Sequence, residues 1–297
     1  MRIKVVHETA YQYEQPVTTS HHEVHLTPRD GEAQTLLAHD LAVLPAPGAE
    51  RDRLDYFKNR TRYFGIHEPH ESLRIVATSE VELRPRAQPL PLWSMTWEEV
   101  QARLTRGRSE EILDAYGFVF ESPYVSPSPE LLELARPSFP VGRPLLEAVT
   151  DLTHRIFTEF RYDQAATNVS TPLADVLRQR RGVCQDFAHL EIACLRSLGL
   201  AGRYVSGYLL TNPPPGKPRL VGADASHAWI STYLPHVGWV DFDPANVLVR
   251  PDKHVVIAYG RDFGDVTPVR GVILGGGRHT LRVAVDVAAL ANDGASS

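Results

Sequence analysis

The sequence RRGVCQDFAHLEIACLRSLGL, residues 180–200, places a cysteine directly before a stretch with helical periodicity. After Cys184 the apolar side chains recur at three- and four-residue steps, which is typical of a helix that packs one face on a core. Gly199 is a typical helix terminator. We therefore predict a helix from Cys184 to Leu198 with an apolar stripe of Phe187, Leu190, Cys194, Leu195 and Leu198.

The two cysteines of the chain both lie in this stretch and are predicted to have different roles. Ten helical residues rise about 15 Å, whereas a disulfide needs Cα atoms closer than about 7 Å, so both thiols are expected to be free. Cys194 lies on the apolar stripe and is expected to pack as a small hydrophobic residue. Cys184 lies at the helix start, where unpaired N–H groups and the helix dipole stabilise a thiolate, the reactive form. These N–H groups can also bind an oxyanion, and Gly182 permits a tight path into the helix.

A nucleophilic cysteine needs a base and often a third group that orients the base. The stretch DASHAWISTYLPHVGWVDFDPANV, residues 224–247, predicts a hairpin in which His227 starts the first strand and Asp243 follows the second. If Ser231 pairs with Trp239, His227 lies opposite Asp243 on one face, at about 5 Å between Cβ atoms. A slip of one residue would separate the two. Asp241 shares this face and is the second candidate for orienting His227.

The other histidines are predicted to be structural. His189 is expected to pack or cap within the helix, and His236 is expected to be exposed in the hairpin turn. His21, His22 and His25 belong to the β-rich N-terminal part and are expected at its surface. Because no second cysteine stands at metal-ligand spacing and no HExxH motif occurs, neither a metal site nor a cofactor is expected.

The bulk composition excludes several classes of protein. With 297 residues, a net charge of -5 and 43% hydrophobic residues, the chain is expected to be globular, with no electrostatic case for nucleic acid or a membrane surface. No apolar run approaches the about 20 residues of a membrane helix. The first residues alternate like a strand and lack the features of a signal peptide. A cytoplasmic location is therefore expected.

The order of predicted elements indicates a β-rich part, then helices, then strands. The predicted N-terminal strands are Arg2–Tyr13, Val17–Leu26, Thr35–Val43 and Leu73–Leu83, and a proline-rich linker follows at Arg84–Leu92. Helical patterns cover Trp97–Ala115, Pro129–Ala135, Arg143–Phe160 and a short helix to Leu177 with Thr171 as N-cap and Pro172 at its first position. The later strands are Gly202–Leu210, Ser226–Leu234, Gly238–Phe242 and the alternating segment Leu281–Val287. Asn212–Arg219 is predicted to be a surface loop, although it could gate the site, and a disordered tail is expected at the C-terminus.

Three motifs in this order resemble the transglutaminase-like superfamily, and in particular its bacterial branch of candidate cysteine proteases. The motifs are FRYDQAATNVSTPLADVL before the cysteine helix, the cysteine helix with the histidine hairpin, and YGRDFGDVTPVRGV after the hairpin. The resemblance implies that Cys184 is the nucleophile, His227 the general acid and base, and Asp243 the residue that orients the histidine. Gln185 and Tyr162 are candidates for an additional oxyanion donor.

The resemblance also implies an α+β fold. An antiparallel β-sandwich-like domain would precede a papain-like core, in which a helix bearing the cysteine packs on an antiparallel sheet, and the C-terminal strands would return to the first domain. The expected divisions are 1–88 for the β domain, 89–130 for linker and helices, 131–272 for the catalytic core and 273–297 for the C-terminal strand and tail.

The expected chemistry is acyl transfer on a peptide or protein amide through a thioester, with hydrolysis favoured over amine transfer because water must be specially excluded for the latter. Three alternatives stay open: a protein-glutamine transglutaminase, arylamine acetyl transfer, and a non-catalytic binding or scaffold module of the same fold. The oligomeric state is left open.

Overall fold

A computed structural model describes residues 1–84, 95–168, 171–211, 226–246 and 253–290. The strands of this part, in chain order, are β1 Arg2–Val24, β2 Gln34–Leu44, β3 Ala49–Leu54, β4 Arg60–Ile66, β5 His70–Leu83, β6 Arg161–Tyr162, β7 Arg181–Gly182, β8 Gly202–Leu209, β9 Ser226–Leu234, β10 Gly238–Phe242, β11 His254–Gly260, β12 Val269–Gly275 and β13 His279–Ala289. The helices are α1 Trp97–Arg106, α2 Glu110–Tyr116, α3 Pro129–Ala135, α4 Leu145–Glu159, α5 Leu173–Gln179 and α6 Cys184–Ser197. The fold is therefore mixed α and β, as predicted.

The N-terminal sheet is built around β1, which runs along two neighbours on each side. All four neighbours are antiparallel to β1. Along one edge β5 pairs with the first half of β1 and β4 with the second half, and along the other edge β13 and β12 do the same. Ile3 therefore opposes Val81 on one side and Ala289 on the other. This confirms the prediction that the C-terminal strands return to the first domain.

The strand predictions for the N-terminal part were correct in type and incomplete in extent. The two segments predicted from Arg2 to Leu26 form one strand, and its ladder with β5 shifts register between Gln12 and Val17, the interval that contains Pro16. Proline has no N–H to donate to a ladder, which accounts for a break at this position. β3 was not predicted because its sequence, AERDRL, is exposed at every position and has no hydrophobic alternation.

The helices confirm the predicted segments with two corrections. The predicted helix over 97–115 is two helices, since Gly107 ends α1 and Ser109 caps α2 by accepting the N–H of Ile112. The predicted N-cap of α5 was wrong: the chain is still extended at Pro172, which precedes the first helical residue and leaves the helix without a side-chain cap. α3 has the predicted bounds and is capped by Ser128.

The core consists of a four-stranded antiparallel sheet in the order β10-β9-β8-β11, with α6 packed on it. Gly202 on β8 allows the close approach, because a Cβ there would lie 3.3 Å from Leu195 and 3.4 Å from Ile192. The predicted apolar stripe of α6 faces inward, and Cys194 is fully buried. The rest of α6 is largely buried too, since α3, α4 and α5 also contact the helix.

The N-terminal sheet is joined to the core through β11. The Asn59 side chain donates to the carbonyl of Tyr259 at 2.7 Å and accepts its N–H at 2.8 Å. The Gln34 side chain makes the same pair of bonds to Val256, both at 2.8 Å. These paired bonds fix β11 between the two parts. Among the described helices, none is both long and apolar enough to cross a bilayer.

The predicted Asn212–Arg219 loop, most of the predicted Arg84–Leu92 linker and the C-terminal tail from residue 291 lie outside the described residues.

Candidate active site

The first residue of α6 is Cys184, and its thiol is half-buried at the helix start. The chain enters the helix through β7, which pairs in parallel with β6. Asp186 in the first turn accepts the N–H of Val183 at 2.8 Å and the Thr167 hydroxyl at 2.6 Å. Burial nevertheless raises the pKa of Asp186. The buried Asp186 side chain therefore fixes the first turn of α6, and with it the position of Cys184.

Gly182 is required at this entry for space. A Cβ at this position would lie 2.7 Å from Oδ2 of Asp186, closer than real side chains come. Gly182 was predicted to permit a tight path into the helix, and the reason is steric. Because glycine has no Cβ, the carboxylate of Asp186 has room to cap the first turn.

The hairpin of β9 and β10 has the predicted strands and a different register. Tyr233 pairs with Trp239, and Ser231 pairs with Asp241, two residues away from the predicted pairing of Ser231 with Trp239. That pairing was wrong, but a shift of two keeps the same side chains on the same face. His227 and Asp243 are therefore diagonal neighbours, and Nε2 of His227 lies 2.7 Å from Oδ2 of Asp243.

Asp241, the second candidate for orienting His227, has another partner. Its carboxylate accepts the Ser231 hydroxyl at 2.5 Å, and Arg203 donates to that same hydroxyl at 3.2 Å. The guanidinium of Arg203 lies between the rings of Trp239 and Tyr259. Asp241 thus belongs to a structural cluster on the sheet, and Asp243 is the carboxylate that contacts His227.

The Asp243 carboxylate is fully buried and accepts four hydrogen bonds. Oδ2 receives His227 at 2.7 Å, Asn246 at 3.0 Å and His254 at 3.1 Å, and Oδ1 receives the N–H of Ala245 at 3.0 Å. Burial alone would raise the pKa of Asp243, but the bonds from His227 and His254 hold that pKa well below its usual range. Asp243 is therefore a buried anion.

The imidazole of His227 lies between this anion and the thiol. Burial would lower the pKa of His227, but hydrogen bonds to Asp243 and Cys184, together with their charges, raise that pKa to about 10. Since Nε2 faces Asp243, the Nδ1 edge of the ring is left for Cys184. The arrangement supplies a thiol, a proton acceptor beside it and an anion behind the acceptor.

Tyr162 on β6 also contacts the thiol. Burial raises the pKa of the Tyr162 hydroxyl, and the adjacent Cys184 adds to this through the charge of its sulfur and a hydrogen bond with the thiol. The backbone N–H of Cys184 near the hydroxyl acts in the opposite direction and lowers this pKa. Tyr162 thus stands where an oxyanion would form. Gln185 is half-buried in the first turn of α6, next in sequence to Cys184.

The remaining histidines follow the predictions in the core and depart from them in the N-terminal sheet. His189 is packed, as predicted: it accepts the N–H of Phe263 at 3.1 Å and stacks on Tyr124, and burial lowers its pKa to about 4. His236 is exposed in the hairpin turn, as predicted. The prediction that His22 and His25 lie at the surface was wrong, since both are buried.

Two residues of the site were missed in the sequence, His254 and Asn246. Asn246 stands three residues after Asp243 in a turn, and proximity along the chain was the available signal. His254 starts β11, beyond an unpatterned segment, and reaches Asp243 because β11 pairs with β8.

His227, Asp243 and His254 also form a group that could hold a metal ion, since their ligand atoms all lie within 4.8 Å of one another. Two imidazoles and a carboxylate suit a divalent transition metal. Hydrogen bonds from both rings to one ionised carboxylate account for the same convergence.

Comparisons with known proteins identify the superfamily of this chain. The family model described as the transglutaminase-like superfamily matches residues 136–244, and the model of the bacterial transglutaminase-like N-terminal region matches residues 3–82. An uncharacterised protein of Mycobacterium tuberculosis is 38% identical, covering 98% of this chain and 94% of its own. An uncharacterised protein of Mycobacterium leprae is 33% identical, covering 98% and 99%.

A crystal structure described as that of a candidate cysteine protease from Cytophaga hutchinsonii has the same fold. It superposes with a TM-score of 0.74 at 23% identity, covering 99% of this chain and 92% of that chain.

Proposed function

The chain belongs to the transglutaminase-like superfamily, and on that premise we propose that it catalyses cysteine-dependent acyl transfer on amide bonds through a thioester. The observation that carries the proposal is the position of His227, hydrogen-bonded to the buried Asp243 at 2.7 Å and to the Cys184 thiol at a helix start. A carboxylate that orients an imidazole, and an imidazole that takes the thiol proton, together activate a cysteine as a nucleophile.

In the first half-reaction the sulfur of Cys184, whose proton is held by His227, forms a bond to the amide carbonyl carbon. The carbonyl π electrons move to oxygen, and the backbone N–H groups at the start of α6 bind the resulting oxyanion. Collapse of this intermediate breaks the C–N bond, and His227 donates its proton to the leaving amine. Asp243 keeps the imidazolium oriented throughout.

In the second half-reaction His227 takes a proton from the acceptor as the acceptor attacks the thioester. The carbonyl then re-forms, the C–S bond breaks, and the sulfur regains its proton from His227. With water as acceptor the product is a carboxylic acid, so the activity is that of a peptidase or amidase. We propose hydrolysis because amine transfer requires a site shaped to exclude water, whereas hydrolysis does not.

Tyr162 and Gln185 are proposed to assist the oxyanion site. The Tyr162 hydroxyl lies beside the thiol and the backbone N–H of Cys184. A substrate oxygen bound by this N–H would be near the Tyr162 O–H, which could donate to the same oxyanion. The proposed partner is a peptide or protein amide, and the cytoplasmic location stays a prediction.

The test is a peptide and amide library assayed both for ammonia or acid release and for amine incorporation. Cys184→Ala is expected to lower turnover at least about 10³-fold, because it removes the nucleophile. Cys194→Ala is the matched control: this thiol is buried and contacts the carbonyl of Leu131, so that variant should keep most of its activity.

Unchanged turnover in Cys184→Ala would overturn the proposal. A Cys184 thiol that iodoacetamide alkylates no faster than a small-molecule thiol at neutral pH would instead favour the non-catalytic scaffold, and predominant amine incorporation would favour a transglutaminase.

A further inference from the structure

The orienting carboxylate is held by a second imidazole that the proposed mechanism does not use. Nε2 of His254 lies 3.1 Å from Oδ2 of Asp243, the same oxygen that accepts from Nε2 of His227 at 2.7 Å. Two ring N–H groups therefore converge on one oxygen from two different strands. In the proposed reaction cycle His227 gains and loses a proton, and none of the proposed steps transfers a proton to or from His254.

His254 is itself fixed. It is buried at the start of β11, where it pairs with Leu209. The indole of Trp229 meets its ring edge-on, with centroids 5.0 Å apart, and stacks on His227 at 5.8 Å. Gly207 of β8 leaves the space for this indole, since a Cβ there would lie 2.6 Å from a ring carbon of Trp229. The sheet thus positions both histidines against one tryptophan.

A second buried carboxyl shows what the donors around Asp243 accomplish. Glu191 on α6 is also fully buried, but its one described donor is the Thr153 hydroxyl at 2.5 Å, and its other oxygen has no partner. Burial raises the pKa of Glu191 to about 8. A buried carboxyl with several donors stays ionised, and one with a single donor becomes neutral.

We propose that His254 is a positioning residue of this site, whose N–H holds the Asp243 carboxylate aimed at His227, so that His227 keeps its proton acceptor turned to Cys184. This inference rests on the proposed function, because it assigns His254 a part in the same reaction. Asn246 donates to the same oxygen at 3.0 Å from a more exposed turn. His254 differs because it is anchored in the sheet.

The experiment compares His254→Gln with His254→Met. The two side chains have similar length and volume, but the Gln amide can donate an N–H near the position of Nε2 and the Met thioether cannot. The probe is the rate of Cys184 alkylation by iodoacetamide at pH 7, with kcat and KM measured on an amide substrate from the library. His254→Met should lower the alkylation rate and kcat about 10- to 100-fold with KM changed less than about twofold, because a bond to a charged group is lost. His254→Gln should stay within about threefold of the parent protein.

Equal rates in the two variants, whether both normal or both reduced, would overturn the proposal, since a purely structural role does not distinguish Gln from Met. If the parent protein alkylates no faster than a small-molecule thiol, the proposed function fails instead. Where a variant does not fold, nitrogen-15 NMR of the histidine rings in the parent protein decides: the proposal requires a proton on Nε2 of His254, and a bare Nε2 contradicts it.

Discussion

Two groups of histidines that are largely shielded from solvent differ in the hydrogen-bond acceptors around them. Around Asp243, the Nε2 atoms of His227 and His254 both lie within hydrogen-bond distance of one carboxylate oxygen. On the N-terminal sheet, neither ring nitrogen of the buried His22 has a hydrogen-bond partner among the described residues, and the Nε2 atom of His70 lacks one too. The rings are of the same type and none of them is exposed, so the main difference lies in the acceptors near them.

This difference is visible in the pKa of the rings. Burial, followed by the neighbouring His70 and His21, lowers the pKa of His22 to about 4. Burial acts in the same direction on His227, but the bonds to Asp243 and Cys184 outweigh it and raise that pKa to about 10. Burial alone makes a histidine a neutral packing group, and a buried anion turns it into a charged one. Chemistry is therefore expected only at the first group.

The largest effect should come from removing the anion. Asp243→Asn leaves a side chain of the same shape that can donate to Nε2 of His227, which favours the wrong tautomer and turns a protonated nitrogen toward Cys184. By analogy with other triads we expect kcat/KM to fall about 10³- to 10⁴-fold. Steady-state kinetics on an amide substrate, with folding checked by circular dichroism, measures this.

Asp241→Asn is the matched control for that variant, because Asp241 stands two residues earlier and contacts Ser231 rather than His227. Its kcat/KM should remain within about tenfold of the parent value. Similar losses in the two variants would show that the sheet, and not the anion behind His227, limits the reaction.

Local patterns in the sequence predicted Cys184 at a helix start and His227 and Asp243 on one face of a hairpin, and the family resemblance predicted that the three act together. Cys184 precedes a helical period, and an alternating hairpin carries the other two. The register was wrong by two residues, and the contact exists nevertheless, because strand faces repeat every two residues. Around these three residues the error was one of strand pairing, which local patterns determine poorly.

The part of the site that was missed depends on contacts distant in sequence. His254 reaches Asp243 only because β11 pairs with β8 and because Asn59 and Gln34 of the N-terminal sheet fix β11 from the other side. The burial of His22 likewise follows from the pairing of β12 with β1, almost 250 residues apart, which brings Gly271 opposite that ring. No periodicity within one segment reports such partners.

A second prediction concerns the N-terminal group, where packing alone should matter. Gly271 makes room for His22, since a Cβ there would lie 2.3 Å from Nδ1 of His22 and 2.7 Å from the carbonyl oxygen of His21. Gly271→Ala should lower the free energy of unfolding by about 2–3 kcal/mol through overpacking. Urea titration measures the loss.

Gly31→Ala is the control for this variant, because a Cβ at Gly31 meets no atom within 4 Å. Where both variants are folded, Cys184 should react with iodoacetamide at the parent rate. A slower Cys184 in Gly271→Ala would mean that the two histidine groups are coupled, and the contrast between them would have to be abandoned.

The smallest expected effect tests the neutral state of His22 directly. The unfolded chain protonates this ring near pH 6.5, and the folded chain only near pH 4, so the ring destabilises the fold progressively as the pH falls between these values. His22→Leu removes this pH-dependent destabilisation. Between pH 7 and pH 4.5 the free energy of unfolding of the variant should therefore fall by about 1–2 kcal/mol less than that of the parent protein. Phe64→Leu, which alters the ring stacked on His22 and adds no titrating group, should cost the same at both pH values. Urea titrations at the two pH values compare both variants with the parent protein. If His22→Leu leaves the pH dependence unchanged, the His22 ring of the parent protein has a hydrogen-bond acceptor in solution, as His227 has in Asp243.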